Sequence, residues 1–178
     1  MITAISKSFV GGRNYLNTTN YGLFPSVAID QMQRAAQALG EGSFDTETRD
    51  AALESSRKYF AQLVGVDSPS VAIGSSVSPF VGLVANSLPV RSTVLLVEDD
   101  FTSLTLPFVI QRDRLNVVAV PLDKFVDAID DSIDIAVVSA VQSADGAIVD
   151  VDALAQKRND RNVKIILDAT QATGWLPI

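Results

Sequence analysis

A chain of 178 residues with 47% hydrophobic and 20% charged side chains can bury one sizeable core and has no disordered composition. Its formal net charge of −7, with 14 Lys and Arg scattered instead of gathered into a stripe, argues against nucleic acid and anionic membrane as partners. Cysteine and histidine are absent, which removes disulfides, the usual zinc ligands and the imidazole base of a serine nucleophile. No apolar run has signal-peptide length or reaches the ~20 residues of a membrane span, so a cytoplasmic protein is expected.

Residues 1–24 read as an N-terminal arm, in which YLNTTNYG (15–22) is polar, aromatic and too short for a domain. Residues 26–39 and 46–64 carry apolar side chains at spacings of three and four, which predicts two helices. Pro25 and Asp45 are their start signals, Gly40 and Gly65 their stops.

From residue 71 onward, short β-branched runs alternate with longer segments. The expected strands are Val71 to Ile73, Thr93 to Val97, Val117 to Val120, Ile135 to Val138 and Lys164 to Leu167. The segments 76–88, 103–112, 122–130 and 151–160 have the length of crossover helices. This rhythm predicts an α/β three-layer sandwich with a mainly parallel sheet. Residues 25–178 form one domain in this reading, and its last strand and loop, ending at WLPI, look interrupted.

Ligands of open parallel sheets bind outside the carboxyl ends of the strands, so the loops there carry the candidate chemistry. In KIILDATQATG, Asp168 ends a strand and Gln171 and Gly174 follow at spacings of three. An aspartate there can hold a pyridine nitrogen protonated, and a glutamine amide can donate to a phenolate oxygen. An Asp at a strand-to-helix junction equally serves as a cap.

In AIGSSVSPF, Gly74, Ser75 and Ser76 precede a helix, a plausible phosphate cradle or an ordinary serine N-cap. In EDDFTSLTLPF, Phe101 can stack on a planar ring or pack into the core. In VVSAVQSADGAIVD, Gln142 can reach a ring oxygen or a substrate group, or it can bond to local backbone beside an Asp145-Gly146 turn.

Taken in order, LNTTNYG, GSSVS, DDFTS and DATQATG resemble the class V aminotransferase superfamily of pyridoxal-phosphate (PLP) enzymes, which includes cysteine desulfurases, kynureninases and isopenicillin-N-epimerase-like enzymes. The resemblance runs from about Leu16 to Ile178. It implies the fold type I large domain. It also implies PLP held by Gly74, Ser75, Ser76, Phe101, Gln142, Asp168 and Gln171, with a small amino-acid substrate met by Asn17, Thr18, Asn20 and Tyr21. A one-residue shift in the alignment gives the stacking place to Thr102, and Gln142 stands where many members have Asn.

The family's Schiff-base lysine comes after the Asp motif, and no lysine follows Asp168 here. The resemblance therefore implies a chain cut off before that lysine, the last strands of the sheet and the small domain. It would be inactive as it stands and would come from a homodimeric parent. A lysine-less binding or assembly module is the alternative.

Overall fold

The computed structural model describes residues 7–12, 14–161 and 163–177, and the chain divides into two compact units, Met1–Tyr59 and Phe60–Ile178. No helix among the described residues is long and apolar enough to cross a membrane.

The first unit carries helix α1 (Ser26–Glu41) and most of helix α2 (Thr46–Val64). Pro25 starts α1, its carbonyl accepting the N–H groups of Ala28 and Ile29. The helix runs past Gly40 and stops at Gly42, which takes φ 68°. Gly42 N–H donates to Leu39 and Ser43 N–H to Ala38, a pair of bonds that places the left-handed residue two positions later than expected. Asp45 opens α2, its carboxylate accepting the N–H groups of Glu47 and Thr48 at 3.1 and 2.9 Å. The Thr48 hydroxyl, then these two N–H groups, hold the Asp45 carboxyl below its ordinary value.

The second unit is built on four parallel strands, β1 (Thr93–Val97), β2 (Asn116–Val120), β3 (Ile135–Ser139) and β4 (Lys164–Asp168), in the order β2-β1-β3-β4. Four helices accompany them: α3 (Val77–Ser87), α4 (Thr102–Val109), α5 (Leu122–Phe125) and α6 (Val151–Arg161).

Alternate side chains of the central strands enter two cores. Val94, Leu96, Ile135 and Val137 pack with Val81 and Ala85 of α3 and Leu104 and Phe108 of α4. On the opposite face Leu95, Val97, Ala136 and Val138 pack with Phe125, Ile129 and Leu154. β1 and β3 are apolar on both faces because both faces are covered. The β1-to-β2 step therefore crosses on one face, and the β2-to-β3 and β3-to-β4 steps cross on the other, as right-handed crossovers moving in opposite directions must.

Three local expectations change. Val71 to Ile73 pairs with no strand among the described residues. It is a three-residue run behind the Ser68–Ser70 turn of 3-10 helix, and an extended segment without a neighbouring ladder forms no strand. The 122–130 helix closes after Phe125 and continues as turns, and beyond them Asp130 accepts both the N–H and the hydroxyl of Ser132 in an Asx turn. The 103–112 helix ends at Val109, just past its internal Pro107.

Candidate functional site

Between β1 and β3 the chain leaves in opposite directions, so their carboxyl ends open a crevice at the topological switch point. A cavity of about 270 Å³ lies there, lined by Ser76, Val77, Phe101, Ser103, Ser139, Val141, Ser143, Asp168, Thr170 and Gln171. Small-molecule pockets start at roughly 300 Å³, so this one suits a compact ligand.

The sequence positions each of these groups through the strand that precedes it. Asp168 closes β4, and Ala140 N–H donates to its carbonyl at 2.9 Å, tying the loop after β3 to the end of β4. Ala172, fully buried, packs with Ala140 and Val141, with Leu167, Ala169 and Leu176 around them. This small cluster seats the DATQATG turn beside the cavity. Asp168 Oδ1 accepts Thr170 N–H at 2.9 Å, so the carboxylate both caps its own turn and lines the cavity. The indole N–H of Trp175 donates to the Gln171 carbonyl at 2.6 Å.

Ser76, which also lines the cavity, is the N-cap of α3, yet its side chain makes no capping bond. The first N–H groups of α3 therefore end near the cavity with the helix dipole behind them. Gly74 is required by close approach: a Cβ there would stand 2.6 Å from Cε2 of Phe80, whose ring lies over the glycine. Phe101, half exposed, is the N-cap of α4.

Ser76, Phe101, Asp168 and Gln171 thus meet in one cavity, while Gly74 and Ser75 precede it without lining it. Gln142 is buried and turned into backbone, its Nε2 donating to the Ser139 carbonyl at 3.3 Å; its neighbour Ser143 lines the cavity. The Asp145-Gly146 turn forms as expected from the dipeptide, with Gly146 at φ 78°. Asn17, Thr18, Asn20 and Tyr21 lie in the first unit, where the Asn17 carbonyl accepts the N–H groups of Asn20 and Tyr21 at 3.1 Å and Tyr15 donates to the Tyr21 carbonyl at 2.8 Å. The sequence reading missed Asp100, which is 5% exposed and accepts bonds from Ser139 and Phe101. The sequence shows an acidic run, Glu98 to Asp100, directly after the TVLLV strand, without marking which of the three is buried.

The chain superposes on a mutant of C-DES with glycine covalently linked to its PLP cofactor at TM-score 0.82. That match has 16% identity and covers 97% of this chain and 51% of that one. It superposes on the cysteine desulfurase CsdA from Escherichia coli at TM-score 0.79 and 14% identity, covering 98% and 50%.

The fold is that of the large domain of fold type I PLP enzymes. A curated relative, an uncharacterized aminotransferase YcbU from Bacillus subtilis, is 30% identical over 133 residues, covering 70% of this chain and 36% of that protein. No family model matches the chain. The chain spans about half the length of these two solved proteins and 36% of the curated relative.

Proposed function

We propose that the chain is the cofactor-binding part of a PLP-dependent enzyme acting on an amino acid, by transamination, desulfuration or elimination, and that this part alone is inactive. The observation that carries the reading is the convergence of Ser76, Phe101, Asp168 and Gln171, from three separate loops, on one cavity at the switch point.

The donor set fits PLP. A carboxylate on one wall suits a protonated pyridine nitrogen. The hydroxyl of Ser76 and the uncapped N–H groups of α3 suit a phosphate dianion without a local basic residue. The Phe101 ring supplies a flat apolar face, and the Gln171 amide a donor for the ring oxygen.

The cofactor, when bound, supplies an electron sink for the pair left on the substrate carbon. Asp168 keeps the proton on the ring nitrogen, Phe101 excludes water from one face, and the start of α3 anchors the phosphate. The reading places the protein in the cytoplasm as a homodimer with a small amino acid as substrate.

A binding module is the second reading, favoured by one observation: no lysine is among the residues lining the cavity. In the second unit, Lys157 donates to the Ile129 carbonyl and Lys124 pairs with Asp123. Lys164 opens β4 at the end opposite Asp168, about 13 Å away along the strand.

Intact mass of the protein made from its complete gene, with PLP, before and after borohydride, separates the two. A PLP adduct on a lysine supports the enzyme. PLP that binds and is not trapped supports the module. No PLP uptake, with Asp168→Ala identical to wild type, overturns both.

A further inference from the structure

We propose that Asp100 is a positioning residue of this pocket, one buried carboxylate that sets two of its walls, Phe101 and Ser139. The inference rests on the reading of the cavity as a PLP site.

Asp100 does not line the cavity, but every partner it has does. Its Oδ1 accepts the Ser139 hydroxyl at 2.6 Å and the Phe101 N–H at 2.7 Å, and its Oδ2 accepts the Ser139 N–H at 2.8 Å. The three donors are neutral and the carboxylate is 5% exposed, so these bonds replace its water. Ser139, also 5% exposed, is 39 residues away in sequence and ends β3, whereas Asp100 follows β1. The contact therefore bridges the two strands whose divergence makes the crevice.

The local backbone is bent to allow it. Asp99 holds φ 58°, a left-handed conformation that a non-glycine residue adopts at a cost. This kink directs the next side chain back toward β3. The Phe101 N–H is held by the same oxygen, and Phe101 is the N-cap of α4, so the orientation of the ring is coupled to the Asp100–Ser139 contact. An asparagine could not serve equally, because its NH2 would replace one of the two accepting oxygens.

The test is a double-mutant cycle in the protein made from its complete gene, read by PLP affinity and by the circular dichroism induced in the cofactor's absorption band. Asp100→Asn is expected to weaken PLP binding by about tenfold and to change the induced signal. In a Phe101→Leu background the same change is expected to cost less, about threefold, because one of the two walls that Asp100 orients is already altered. Equal costs in both backgrounds, or an unchanged signal in Asp100→Asn, would overturn the proposal while leaving the PLP site standing. Wild-type protein that takes up no PLP overturns both.

Should Asp100→Asn fail to fold, Ser139→Ala and Ser139→Thr decide. Loss of the induced signal in the alanine variant and its recovery in the threonine variant, which keeps the hydroxyl, supports the assignment. Identical behaviour of the two refutes it.

Discussion

Arg114 closes helix α3 through Ala85: its Nη2 donates to the Ala85 carbonyl at 2.6 Å, and Nη1 donates to the carbonyl of Leu88. Gln111 holds the guanidinium from the other side and is itself bonded to the Pro107 carbonyl at 2.9 Å. The Ala85 carbonyl lies in the last turn of α3, where it also accepts the Leu88 N–H at 3.4 Å, and Leu88 is the residue that follows the helix. The other end of α3 carries Ser76, so the clamp fixes the helix whose start borders the cavity.

Arg114→Met, which keeps the length of the side chain and removes its donors, is therefore expected to cost about 2 kcal/mol, in the range for hydrogen bonds to a charged group. Arg114→Lys is expected to recover only part of this, since an ammonium cannot span two carbonyls and Gln111 with a planar fork. Urea unfolding of the three proteins checks both statements; a methionine variant as stable as wild type would show that water satisfies the helix end.

Two phenylalanines seven residues apart in the chain are expected to respond oppositely. Phe108 is fully buried in the core on the α3–α4 face, whereas Phe101 is 51% exposed at the cavity. Phe108→Ala is expected to cost about 3–5 kcal/mol through the void it leaves. Phe101→Ala is expected to cost under about 1 kcal/mol of stability and to act on PLP affinity instead. Thermal melts and a PLP titration of both variants read the contrast. If Phe101→Ala melts as low as Phe108→Ala, Phe101 is a core residue and not a wall of the site.

What the sequence made legible follows from which forces are local. β1 and β3 could be placed because Val94 to Val97 and Ile135 to Val138 are apolar without alternation, the mark of strands covered on both faces. Ser76, Phe101, Asp168 and Gln171 followed because each lies within a few residues of such a strand or of a helix start. Gln142 and Ser143 could not be told apart, since only the fold of the hairpin-like turn, with its Val141–Ile148 bridge, decides which side chain faces the cavity. Asp100 was hidden because its partner Ser139 is brought to it by sheet pairing, and nothing near Asp100 in the sequence distinguishes it from Glu98 and Asp99. Val71 to Ile73 has the composition of a strand, but a strand also needs a neighbour.

Asp45 gives a pH dependence with a definite sign. Its carboxyl is held below the ordinary value of 3.8 by the Thr48 hydroxyl first and by the N–H groups of Thr48 and Glu47 after it. A group whose value is lower folded than unfolded stabilises the fold above the unfolded value, and that contribution is lost as pH falls through the folded one. Helix content measured by circular dichroism is therefore expected to decline below about pH 4 in wild type. Asp45→Asn, a cap without a titrating charge, is expected to lose this part of the decline. Identical profiles would mean that the cap does not set the acid limb.

Asp168 separates the capping and the charged functions of one side chain. The bond from Thr170 N–H to Oδ1 needs only an oxygen acceptor, which asparagine retains. Asp168→Asn is accordingly expected to unfold within about 0.5 kcal/mol of wild type, while Asp168→Ala loses about 1 kcal/mol with the turn bond. Holding a proton on a pyridine nitrogen needs the negative charge, so both variants are expected to bind PLP at least about tenfold more weakly. Urea melts and a PLP titration on the same three proteins give the two readouts. Should Asp168→Asn bind PLP as wild type does, the carboxylate would be left with its turn alone, and the ring nitrogen would have to be served by another group of the pocket.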